Sequence, residues 1–457
     1  MATLLKPGQT LRSVGSGADA RVESLLGEGG QGEVHRVTLG TERYAVKWYN
    51  DLVLDLDRGL RRRLGVAIDR GAPSGRFLWP FELVTLPDGS RLGYLMRLRK
   101  QGFHKLHSLL GRREDDTSTN AAASGASLRV LATMCCLLTD ALLALHAQGL
   151  AYQDLNAGSV FFDPSTGDIE ICDNDNVDVD GAPSIMAGQR EYQAPEIVLR
   201  QAGPSRATDL HSLAVLLFRI LHKGHPLIGK RELDHPNLAT DSVTRRLYGT
   251  EARFVFDPAD ESNRPLPDLH RPVLAHWDIY PQSIRDLFTR AFTEGLYDPM
   301  HGRVQESDWR RALSGLRDAV VTCRRCSAEN FYEPRRVSGK QATFPCWCCD
   351  AALASAPPRL GIRRAGARPG EAPLHIVILE PGARLFAHHT AGAAEYDFSA
   401  PTGEVHGGEP LGLRNLSRRP WVATLGAAEA TVAPGESVPL AAGVRVRFER
   451  AEGEAKL

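Results

Sequence analysis

A glycine-punctuated stretch, Leu26-Gly27-Glu28-Gly29-Gly30-Gln31-Gly32-Glu33-Val34, is followed by Ala45-Val46-Lys47, which begins 13 residues after Gly32. Gly27, Gly29 and Gly32 let a turn lay bare backbone over phosphates, because no Cβ blocks close approach. The same glycine spacing also joins a strand to a helix in dinucleotide-binding folds. Here Glu33-Val34-His35-Arg36-Val37, a turn near Gly40 and Tyr44-Ala45-Val46-Lys47-Trp48 read as strand, turn, strand. The glycine loop therefore joins two strands. Val34 is placed to close over a purine, and Lys47 to bring a positive charge to the α- and β-phosphates.

Further motifs follow in a fixed order. Val130 or Leu131, Met134, Leu138, Leu142 and Leu145 recur at helical spacing and lead into Tyr152-Gln153-Asp154-Leu155-Asn156. Val160-Phe161-Phe162, a Pro-Ser-Thr-Gly turn and Ile169-Glu170-Ile171 read as a hairpin ending in Asp173-Asn174-Asp175. Ala194-Pro195-Glu196 comes next, then a long apolar helix from Thr208-Asp209, then residues 284–313 with Arg303 after Asp298-Pro299. In this order the motifs resemble those of a bacterial, eukaryotic-like (Hanks-type) Ser/Thr protein kinase, over about the first 320 residues.

The resemblance implies roles. Asp154 would orient a substrate hydroxyl and accept its proton, and Asp173 would hold Mg²⁺ (or Mn²⁺) on the phosphates of ATP, which Lys47 aligns. Ala45 and Phe161 would sandwich the adenine, with Met96 as gatekeeper before a hinge at residues 97–99. Glu196 would pair with Arg303, and Asp209 would hydrogen-bond the catalytic-loop backbone. Several positions depart from the family pattern. Ser159 stands where an Asn ligates a second metal, and Asn156 replaces the Lys that steadies the γ-phosphate; its amide is a compensating candidate for metal or phosphate. Gln153 replaces the phosphate-reading Arg, which makes the chain non-RD. Ser184 is the only Ser or Thr between Asp173 and Glu196, so activation-loop phosphorylation is not the expected switch. Family members pair the Lys with a helix Glu, but no Glu occurs between Glu42 and Glu82. Of Asp55, Asp57 and Asp69, the expected partner is Asp69. Asp175 replaces a flexible Gly and reads equally as a second acid near the metal or as a turn residue.

Eight cysteines in a chain expected to be cytoplasmic invite a metal search rather than disulfides. Cys135, Cys136 and Cys172 lie on apolar elements and read as core. Cys323-Arg-Arg-Cys326 and Cys346-Trp-Cys-Cys349 form two knuckles with 19 residues between them, the spacing of a structural zinc ribbon. Cys348 is a rival ligand to Cys349. Beyond a Pro-, Gly- and Arg-rich stretch, His375-Ile376-Val377-Ile378-Leu379, Trp421-Val422-Ala423-Thr424-Leu425 and Val444-Arg445-Val446-Arg447-Phe448 read as strands of a small sandwich. From Leu413 to Val446 it resembles the second half of a forkhead-associated domain. His388-His389 and the His222/His225 pair read as ordinary surface or loop histidines.

The expected architecture is α+β: a bilobal kinase-like fold over residues 1–320 (N-lobe about 1–97, C-lobe about 98–320), with a flexible insertion at 112–127. A zinc ribbon (321–354), a linker (355–373) and an all-β sandwich (374–457) complete it. Lys plus Arg and Asp plus Glu both total 55, which argues against a general nucleic-acid or membrane-surface role. No secretory signal or membrane span is apparent, and the longest apolar helix carries Asp140. The domain order is similar to that of the kinase of the TerY-associated phosphorylation triad. That resemblance implies a protein substrate, with a von Willebrand A (TerY-like) protein and a type 2C protein phosphatase as partners. The competing reading is a pseudokinase scaffold that binds nucleotide and presents its ribbon and sandwich.

Overall fold

A computed structural model describes residues 4–110, 125–182, 188–235, 237–238, 240–333, 343–354, 356–368 and 370–457. Ser184 and most of the expected 112–127 insertion lie outside the described residues.

The N-terminal part is a closed barrel of β1 (Thr10–Ser13), β2 (Asp19–Gly29), β3 (Gly32–Leu39), β4 (Glu42–Tyr49), β5 (Glu82–Thr85) and β6 (Gly93–Met96), in the order β1-β2-β3-β4-β6-β5. Period-two alternation explains how β4 is buried on both faces. Val46 and Trp48 fill the barrel with Leu11, Val22 and Leu95, while Ala45 and Tyr49 join a second cluster outside it with Leu64, Tyr94 and Met96. The glycine turn joins β2 to β3. A Cβ on Gly32 would lie 2.0 Å from the Trp48 carbonyl oxygen, so only glycine lets these strands approach. Helix α1 (Asp51–Leu56) is capped by the Asn50 side chain, and α2 (Leu60–Arg70) packs Leu60, Leu64 and Ala67 inward.

The following part is helical, around one large core. Helix α3 (Leu128–Ala147) is long and apolar enough to cross a membrane, but 83% of its apolar window is buried inside the protein. Short helix α4 (Pro195–Val198) and helix α5 (Arg206–His222) follow, the latter closed by a Ser205/Thr208 capping box. Phe218 on α5 is fully buried, with Phe254 and Phe288 edge-on. His222 is also fully buried, caged by Trp277, Tyr280 and Phe288, and His225 hydrogen-bonds the Glu191 carbonyl at 2.7 Å. His222 is not the surface or loop histidine expected, because the aromatic helix faces that enclose it come from distant sequence; His225 is a half-buried loop histidine, as expected.

Two small hairpins, Val320–Thr322 with Glu329–Phe331 and Thr343–Pro345 with Ala352–Ala354, carry the four paired cysteines. Beyond them lie a six-stranded and a four-stranded antiparallel sheet that share one apolar core. Strand Arg359–Arg364 falls where a linker was expected, yet it pairs with His375–Ile378 on one side and Ala451–Lys456 on the other. Its flanking Pro and Gly residues mask a buried Leu360 and Ile362, so composition misread a central strand.

This C-terminal unit docks on the kinase-like part through residues 386–398 and the helix Glu306–Asp318. His389 and Asp318, both buried, are 2.9 Å apart, and the Arg317 guanidinium lies over Phe386 and Phe398. His388 is buried against them, stacked on Tyr396. Two histidines expected at the surface are thus interior, because Asp318 comes from another element. Arg317 stands beside Asp318 at 3.4 Å, so the carboxylate has a cation without a metal. Arg76, on the loop after α2, donates to the Tyr396 carbonyl at 2.8 Å, so the same segment reaches the N-terminal part.

Candidate active site

The turn Asp173–Asp175 brings the strand-borne cation and the acids together. Asp173 has φ 55°, a left-handed conformation that costs a non-glycine residue energy and is held by its surroundings. Asn174, fully buried, donates to the Leu78 and Ile171 carbonyls at 2.9 and 3.0 Å and pins the turn. Lys47 reaches Asp173 at 3.2 Å, Asp175 at 2.8 and 2.9 Å, and the Gln31 amide oxygen at 2.8 Å. Asp69, the expected partner, is instead exposed on α2. The reason is positional: Leu64, not an acid, occupies the inward face of that helix. Burial pulls the Lys47 ammonium down, but Asp175 and then Asp173 outweigh it and hold it above the ordinary lysine value.

Asp154 sits on a loop whose backbone is fixed from beneath. Asp209 accepts from the Tyr152 and Gln153 amides at 2.5 and 3.0 Å. His146, at the end of α3, lies 3.1 Å from Asp209 and also contacts Glu306, which Arg206 holds. Burial lowers the His146 imidazolium, but those two carboxylates prevail and bring it to about 9. Glu196 and Arg303 pair at 2.7 Å, tying the end of the activation segment to the lower lobe.

Above the loop, Asn156 donates to the Asp154 carbonyl at 2.9 Å and to its carboxylate at 3.2 Å, and its Oδ1 accepts from the Gly158 amide at 2.8 Å. The Ser159 hydroxyl, 1% exposed, donates to the Asn156 carbonyl at 2.8 Å. Both candidate substitutes for metal or phosphate contacts are therefore engaged within the loop. Gln189, which sequence reasoning missed, bridges the pair: its amide donates to Asp154 at 3.2 Å and its side chain to Asn156 at 3.3 Å. Its place seven residues before Glu196 was the available signal. Burial raises the Asp154 carboxyl to about 6 against the bonds from Gln189 and Asn156, and the charge of Asp173 adds to the rise.

The expected purine pocket is apolar. Val34, Ala45 and Met96 share a cluster with Leu98 and Cys172, and Phe161 carries the Arg99 guanidinium 4.5 Å from its ring centre. Gly27 and Gly29 have open space where a Cβ would be.

In the hairpins, Cys323 and Cys349 sulfurs are 3.7 Å apart, Cys326 and Cys346 3.8 Å, and all four lie within 4.8 Å of one another. Tetrahedral zinc with bonds of about 2.3 Å needs sulfurs about 3.8 Å apart, so the quartet fits that ion. Each knuckle makes the same backbone bonds, Ser327 N–H to the Cys323 carbonyl at 2.8 Å and Asp350 N–H to the Cys346 carbonyl at 2.9 Å. The side chain of Asn330 donates to Cys346 Sγ at 3.5 Å. Cys348 is exposed and outside the quartet.

Comparison with known proteins supports this geometry. Residues 114–282 match the protein kinase domain, a span that includes Asp154, Asp173 and Glu196. A putative cyclin-dependent kinase F-2 of Oryza sativa subsp. japonica is 30% identical over 192 residues, 40% of this chain and 55% of that protein. Serine/threonine-protein kinase sck2 of Schizosaccharomyces pombe is 36% identical over 84 residues, 18% of this chain and 13% of that protein. A putative ribosomal protein S6 kinase alpha-1 of Caenorhabditis elegans is 35% identical over 101 residues, 21% and 13% of the two chains. The chain thus spans about half or less of the curated relatives named here. Over residues 114–282 it is similar to the protein kinase domains of Ser/Thr kinases. The glycine turn and Lys47 lie outside the family match and rest on the strand geometry.

Proposed function

We propose that this chain is an ATP-dependent serine/threonine protein kinase of the non-RD type, acting on protein substrates in a bacterial phospho-signalling module. The observation that carries the reading is the convergence of Lys47, Asp173 and Asp154 beneath a strand-to-strand glycine turn. Asp154, with a carboxyl near 6, is ionised at pH 7 yet basic enough to accept a proton from a serine or threonine hydroxyl. Gln189 and Asn156 fix its orientation. Asp173, a carboxylate with 44% of its side chain exposed, suits a hard cation such as Mg²⁺ or Mn²⁺. When bound, that cation would neutralise charge on the nucleotide phosphates. Lys47 would align the same phosphates, taking them in place of the Gln31 amide.

The engaged side chains of Ser159 and Asn156 favour a second reading, a nucleotide-binding pseudokinase scaffold. Incubation with labelled ATP, Mg²⁺ or Mn²⁺ and a protein substrate, beside Asp154→Asn, separates the two. Asp154→Asn should abolish transfer and leave nucleotide binding nearly intact. Equal incorporation by the two proteins would overturn the kinase reading. The cysteine quartet supports a structural zinc. The order of the domains supports a cytoplasmic module with a von Willebrand A (TerY-like) protein and a type 2C phosphatase. The C-terminal sheets are read as a forkhead-associated-like partner-binding unit.

A further inference from the structure

Lys47 and Tyr49 are two residues apart on β4, and Tyr94 stands opposite Lys47 on β6. Alternation points all three side chains to one face of the sheet. There they converge on a single carboxylate. Asp175, 2% exposed, accepts twice from Lys47, from the Tyr49 hydroxyl at 2.8 Å and from the Tyr94 hydroxyl at 3.3 Å. A buried carboxylate with this many charge-assisted and hydroxyl donors is fully compensated. Asp173, two residues earlier, stays open to solvent.

We infer that Asp175 is the positioning residue that holds Lys47, a task the family resemblance assigns to a glutamate on the helix after the lysine strand. The inference rests on the kinase reading for its consequence but not for its geometry. Helix α2 has no acid to offer at that spot: buried Leu64 faces inward. Of its arginines, Arg63 pairs with Asp57 at 2.9 Å and also donates to the Asp175 carbonyl at 3.4 Å, and Arg62 pairs with Asp178 at 2.6 Å. The lysine anchor therefore sits on the turn that carries Asp173 and not on α2. Any motion that turns Asp173 away therefore also unpairs Lys47.

The test reads the Lys47 amine directly. Wild type, Asp175→Asn and Asp69→Asn are treated with a small amine-acylating reagent at pH 8, and the Lys47 peptide is quantified by mass spectrometry. With its closest acceptor gone and Asp173 still 3.2 Å away, the Lys47 amine is freed in part, so Asp175→Asn should label severalfold faster than wild type. Asp69→Asn should label like wild type. ATP affinity should fall in Asp175→Asn with the Mg²⁺ midpoint unchanged, whereas Asp173→Asn should move that midpoint. If Asp175→Asn does not fold, Asp175→Ser, a smaller neutral side chain at the same turn, takes its place and should likewise label faster than wild type. Wild-type labelling in the variant that folds, or a Mg²⁺ midpoint moved as in Asp173→Asn, would overturn the inference. Failure of wild type to transfer phosphate would sink the kinase reading and leave the anchor standing.

Discussion

The helical lobe and the cysteine hairpins are neighbours in sequence and opposites in construction. The lobe is held by a continuous apolar core running from α3 and α5 to the helix Glu306–Asp318. The strands of the first cysteine hairpin lean on neighbouring cores, Val320 and Phe331 on that of the lobe and Val321 and Tyr332 on Ile378, whereas around the cysteines themselves the described buried residues are Cys323, Cys346 and Leu353, two of them candidate metal ligands. Cohesion in the lobe is spread over many side chains. That of the cysteine turns is expected to rest on four sulfurs and the one ion that would join them.

The largest expected effect tests that contrast. Structural zinc contributes about 10–16 kcal/mol of apparent binding energy in finger peptides. A strong chelator or Cys323→Ser should therefore open the cysteine turns and the hairpin of Thr343–Pro345 with Ala352–Ala354 locally, seen as new protease cleavage, while the helical lobe keeps its stability in denaturant unfolding. Elemental analysis should give one zinc per chain. A protein purified metal-free under reducing conditions would break the comparison.

Next in size is a core truncation. Phe218→Ala should lower lobe stability by about 3–5 kcal/mol in denaturant unfolding, with zinc content unchanged. Loss of zinc in that variant would show the units to be coupled. A pH effect follows. His146 has its folded pKa raised to about 9, so its stabilising charge is fully present below the unfolded value near 6.5. It should be lost as pH rises from there through 9. The loss is on the order of 2–3 kcal/mol, and His146→Gln should flatten that part of the profile. The smallest effect is at the cysteine quartet. Asn330→Ala removes the donor to Cys346 and should weaken zinc binding about 10- to 100-fold in a chelator competition.

Short-range spacing made much of the site's placement legible. The glycine turn, Lys47, Asp154, Asp173 and the two knuckles each announce themselves within a few residues. What escaped was non-local. Asp175 reaches Lys47 across 128 positions into a cradle that needs Tyr94 from a third strand, so no window of sequence displays it. The His146 bridge spans three elements, and His389 meets Asp318 only through docking. Strand Arg359–Arg364 was hidden differently: its neighbours' turn-forming composition outweighed two buried apolar residues.

That strand has a consequence for how the protein is made. Its ladder partner Ala451–Lys456 lies far downstream in the chain. The strand must therefore wait, unpaired on that edge, until that later segment has been synthesised. During that interval the segment around Phe386 has no completed platform to dock from, and the face of Glu306–Asp318 that it covers stays open. Chains cut short near residue 440 should accordingly be recognised by chaperones and proteases at two places at once, though only one of them has been truncated.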